Sequence, residues 1–69
     1  MTGWSYVGSR RVNMDRWPLI VEAWPPKTVS NPTWQWAVID FGDNFTRTCG
    51  VASDRQAAED AAESEADQR

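Results

Sequence analysis

The apolar positions of this chain gather around one stretch, Thr33-Trp34-Gln35-Trp36-Ala37-Val38-Ile39-Asp40-Phe41, with the turn formers Asn31-Pro32 before it and Gly42-Asp43-Asn44 after it. Aromatic and β-branched side chains suit a pleated, buried surface, so a strand is predicted over residues 33–41. Successive side chains of a strand point to opposite faces. That puts Trp34, Trp36 and Val38 on one face and Gln35, Ala37, Ile39 and Phe41 on the other. Both faces are largely apolar, where a strand with one wet face would alternate with polar residues; an interior strand with cover on each side is expected.

Weaker versions of the pattern mark Trp4–Val7 and Arg10–Met14, with Gly8-Ser9 between them as a bend or bulge, so that residues 4–14 read as one bent strand. Leu19–Trp24 is a clear strand of branched and aromatic residues stopped by Pro25-Pro26. The segment Lys27–Pro32 reads as a polar, proline-bounded loop open to a partner. Beyond the central strand, Gly42-Asp43-Asn44 predicts a tight hairpin into a last strand over 45–51, with Gly50 marking a bulge or a corner.

From Ser53 the period changes. Ser53 is a good N-cap, Gln56 stands three places on to complete a capping box, and Asp54 suits the positive end of a helix. At about 100° per residue, Ala57, Ala58, Ala61, Ala62 and Ala66 share one half of a helix over about 54–66, and Gln56, Glu59, Asp60, Glu63 and Asp67 the other. Glu65 interrupts the alanine face and the acids crowd the negative pole, so fraying is expected beyond about residue 64. The fold expected is α+β: an antiparallel meander of three or four strands with one C-terminal helix on one face, in a single small domain over 1–69.

A chain of 69 residues buries only about 60% of its unfolded surface on folding. Five tryptophans, each able to bury about 200 Å², are therefore a large part of what holds it together. One cysteine, Cys49, excludes an internal disulfide, and the absence of a signal peptide or long apolar run points to a soluble, cytoplasmic chain without a membrane segment. The sequon Asn44-Phe45-Thr46 then reads as turn residues entering a strand. Net charge is −3, but residues 1–34 carry four cations against two acids while residues 35–69 carry eight acids against three arginines. The acidic half is either the solvated face of the helix or a ridge that docks on a basic partner.

Chemistry is sparse. There is no histidine to act as a base or to activate Cys49, and no glycine-rich phosphate loop or nucleophile elbow. Asp40 and Asp43 lack the ligand number of a calcium loop. No enzyme activity, cofactor or metal is expected. The tryptophans outnumber what one alanine-faced helix can cover, and two resolutions stand: Trp4, Trp17 and Trp24 fold over the sheet edges as an aromatic core, or an apolar patch binds something. The second predicts a protein-binding module, with Trp34, Trp36 and Trp24 as anchors and Glu59, Asp60 and Glu63 as an electrostatic rim, and a homodimer as one form of it. One alternative is a purely structural homodimer; the other is a single-stranded nucleic-acid binder stacking bases on tryptophan and holding phosphates with Arg10, Arg11 and Arg16. A pI near 4.6 opposes it, because phosphate neutralisation dominates such binding.

The run Trp34-Gln35-Trp36-Ala37-Val38, the turn Gly42-Asp43-Asn44, the segment Gly50-Val51-Ala52-Ser53 and the alanine-rich helix from Gln56 to Ala66 together resemble small uncharacterised proteins common in phages and other bacterial mobile elements. The resemblance covers Thr33 to Ala66, about half the chain. It implies a sheet with one packed helix in an intracellular accessory protein that binds host or phage proteins, and it brings no catalytic residues.

Overall fold

The computed structural model describes residues 3–27, 30 and 32–68. Strands β1 (Trp4–Val7), β2 (Arg10–Asn13), β3 (Leu19–Trp24), β4 (Trp34–Asp40) and β5 (Thr46–Ala52) precede one helix, α1 (Arg55–Asp67). The strands lie in sequence order in one sheet, each antiparallel to the next. The class is α+β, as expected, but the sheet has five strands rather than three or four. The difference lies at Gly8-Ser9, read in sequence as a bend within one strand. Val7 pairs with Arg10 across these two residues, and Gly8 has a φ of 65°, the positive value that the first position of a II′ hairpin turn requires. The tip is a true hairpin, and residues 4–14 are two strands.

Register sorts every side chain onto a face. Through the pairs Ala23–Trp36, Trp36–Gly50, Val21–Val38 and Trp34–Ala52, the face beneath α1 collects Trp4, Val21, Ala23, Trp34, Trp36, Val38 and Ala52. Trp4, Val21, Ala23 and Val38 form the buried core with Ala58, Ala62 and Ala66 of the helix, and Leu19, Trp34, Trp36 and Ala52 pack around it. Ala58 and Ala62 are fully buried; their lack of bulk lets the helix axis approach the rings. The opposite face carries Val12, Ile20, Glu22, Trp24, Gln35, Ala37, Ile39, Arg47, Cys49 and Val51, and no helix or strand among the described residues lies over it.

Both ends of α1 differ from expectation. The N-cap is Asp54 rather than Ser53, its side-chain Oδ1 accepting the Ala57 N–H at 2.8 Å. Gln56 takes no part in a capping box and donates to Asp60 at 3.0 Å. The helix continues past residue 64, the point of expected fraying, to Asp67. Ala66 is in the core, and Arg16 reaches from the β2–β3 connection to pair with Asp67. Gly50 is neither bulge nor corner; it sits in regular register opposite Trp36. A Cβ there would lie 2.6 Å from Trp36 Cζ2, so glycine is what allows the indole to lie across β5. Of the expected loop Lys27–Pro32, Thr28, Val29 and Asn31 lie outside the described residues.

Candidate functional site

Two connections meet at one end of the sheet, residues 14–18 between β2 and β3 and residues 41–45 between β4 and β5. The Phe41 N–H donates to the Pro18 carbonyl at 3.0 Å, continuing the β3–β4 ladder into both loops. Gly42 lets Pro18 come close, because a Cβ there would sit 2.9 Å from Pro18 Cγ. Trp17 stacks on Phe41 with centroids 5.6 Å apart, and Phe45 meets Phe41 edge-on at 5.2 Å. Three rings thus form a continuous surface whose outer members stay in water: Trp17 is 63% exposed and Phe45 67%, with Met14 of the same loop at 56%.

The backbone beneath Phe45 is unfavourable for its side chain. Asn44 and Phe45 have φ of 57° and 60°, and the Thr46 N–H donates to the Asp43 carbonyl at 3.1 Å, the geometry of a type I′ turn with Phe45 at the position that glycine normally takes. An L-residue in this region costs about 1–2 kcal/mol, and a bulky one there is uncommon. Asp40 braces the loop, its Oδ1 accepting the Gly42 N–H at 3.0 Å. Strain of this kind persists where surrounding structure over-determines it and gathers at binding sites.

The residues singled out in sequence are dispersed. Trp34 and Trp36 are half-buried between sheet and helix, whereas Trp24 is half-buried on the opposite face. Asp60 is exposed on α1 and Glu63 half-buried. Glu59 is buried at 5%, its carboxylate accepting from Arg11 Nε at 2.9 Å, with Arg55 Nε at 3.7 Å. Arg11 also lies 4.4 Å over the Tyr6 ring. Arg55 donates to the Tyr6 hydroxyl; that bond first, then the Tyr6 and Glu59 charges, raise its pKa above the ordinary arginine value. Arg10 faces Glu22 at 3.7 Å across the uncovered face, and Arg16 pairs with Asp67. Arg10, Arg11 and Arg16 are therefore in three separate settings, each opposite a carboxylate. The exposed cluster of Trp17, Phe41 and Phe45 escaped the sequence reading. Its signal was present in the aromatic residues flanking Pro18 and the Gly42-Asp43-Asn44 turn.

Among the described residues no three His, Cys, Asp or Glu side chains come together as a metal site, and no helix is long and apolar enough to cross a membrane. No protein-family model, curated protein or solved structure matches the chain with significant similarity.

Proposed function

We propose that this chain is a small non-enzymatic protein-binding module whose contact surface is the ring cluster of Trp17, Phe41 and Phe45. The observation that carries the reading is the exposure of Trp17 and Phe45, at 63% and 67%, with Phe45 on a turn where glycine is favoured. Exposed rings joined into one patch are the usual anchors of a protein interface. Asp15 and Asp43 lie in the same two loops, and Asp67 is brought to this end by Arg16; such a rim suits a partner pocket edged with basic residues. The accessory role implied by the resemblance to phage and mobile-element proteins is binding of this kind: occlusion of a partner's surface without chemistry. Pairing of Arg10, Arg11 and Arg16 with acids favours a protein over nucleic acid as the partner, because phosphate contacts need cations that are free to release counterions.

The test compares the wild type with a Trp17→Ser, Phe45→Gly double variant, each immobilised as bait in lysate of the source cells. Phe45→Gly relieves the positive φ, worth about 1–2 kcal/mol, and the two substitutions together lose two ring contacts on Phe41, each worth about 0.5–1.5 kcal/mol, so the gain and the loss are of similar size. A partner held by the wild type and lost by a variant with an unchanged circular dichroism melt is the expected outcome. Capture of the same proteins by both baits would remove the reading.

A further inference from the structure

The last strand of the sheet offers a second, separate place for a partner. β5 pairs with β4 through seven consecutive residue pairs without a bulge, and no strand among the described residues pairs with its outer edge. Natural sheets blunt such edges with proline, lysine, bulges or inward charges. β5, Thr46-Arg47-Thr48-Cys49-Gly50-Val51-Ala52, has none of these. Its one charge, Arg47, is exposed.

Reaching across β5 from the side of the sheet that carries Trp24 is a cleft of about 200 Å³, lined by Trp24, Gln35, Trp36, Arg47, Cys49, Gly50 and Val51. The lining is mostly apolar, with one guanidinium at its border. Arg10, Arg11, Arg16 and Arg55 each face a carboxylate. Arg47, alone among the described arginines in having no ion pair, lies 5.7 Å over the Trp24 ring. An open ladder supplies affinity through main-chain hydrogen bonds, a neighbouring pocket supplies selectivity, and a free cation selects an acid.

From this juxtaposition we infer that β5 accepts an extended peptide segment as a sixth strand, one that places an apolar side chain in the cleft beside Trp24 and Val51 and a carboxylate on Arg47. A second copy of this chain fits less well. β5 contains no acidic residue, and a twofold pairing of β5 with itself centred on Cys49 would set Arg47 opposite Val51 and leave the cation unmatched. The inference is independent of the ring cluster, which lies on the connections rather than on the β5 edge. Either surface can fail its test without the other.

The test uses the full chain and a fluorescein-labelled heptapeptide with Leu, Val and Glu at its second, fourth and sixth positions and threonine between them. Laid antiparallel, these three residues stand opposite Val51, Cys49 and Arg47. Fluorescence anisotropy should show saturable binding that Arg47→Glu weakens by about fivefold, and that a Glu→Lys peptide restores in the Arg47→Glu variant. Two N-methylated peptides, one blocked at odd positions and one at even, should differ by more than about tenfold, because only alternate amides of an added strand face the ladder. Equal binding of the two, indifference to the charge reversal, or no binding at all overturns the proposal. So does a dimer in sedimentation that the peptide does not dissociate.

Discussion

At Gly50 the absence of a single methyl group decides how the aromatic layer lies. An added Cβ would come within 2.6–2.9 Å of three Trp36 ring atoms, far inside carbon–carbon contact, and the indole is itself held against the core. Gly50→Ala should therefore cost about 1–3 kcal/mol, read as a lower urea midpoint with an unchanged slope. A loss under half that range would mean that the ring swings away freely. The reason this glycine reads as a bulge in sequence is that a missing side chain leaves no periodic signal; only the register showed which ring passes over it. Phe45 is the reverse case. Its identity marks it as an apolar strand residue, and nothing in the sequence shows that its φ is 60° or that its ring faces outward.

Elements were more legible than residues. The strand predicted over 33–41 is β4, Leu19–Trp24 is β3 without adjustment, and the helix predicted over about 54–66 is α1, because each repeats its pattern over enough positions for the period to be plain. The N-terminal segment repeats over four residues at a time, too few for the turn to stand out, although Gly-Ser is a recognised two-residue hairpin loop. The helix differs from expectation at its start, where Asp54 and Ser53 are both competent caps and geometry chooses between them, leaving Gln56 outside a capping box. α1 owes its place to small side chains. Ala62 is fully buried against the sheet, so Ala62→Leu should lower stability by about 1–3 kcal/mol, although leucine ranks just below alanine in helix propensity. A thermal melt at or above that of the wild type would show that the helix rides higher on the rings than described.

Across the whole molecule, large apolar side chains outnumber what the helix covers, and Tyr6, Val7, Met14, Trp17, Phe45 and Val51 stay exposed. Trp34 and Trp36 went beneath the helix, and the clustered rings come from two loops far apart in sequence, which only the antiparallel pairing brings together. The β1–β2 hairpin joins the rest through β3, through Trp4 in the core, and through the Arg11–Glu59–Arg55 group. Glu59 there serves two arginines, while Arg11 has one carboxylate. Glu59→Gln should accordingly cost on the order of 3 kcal/mol, and Arg11→Met less, because Arg55 remains beside the carboxylate. Equal costs in denaturant titrations would show that Arg55 contributes nothing.

The tip of that first hairpin has a practical use. The space around the tip is open, but Gly8 itself must stay glycine for its φ of 65°. Ser9 beside it sits at the opposite end of the sheet from the stacked rings, and β1 is the opposite border from β5. A dye or an immobilisation handle carried there would leave both proposed contact regions untouched, so one labelled preparation can serve to measure each of them in turn.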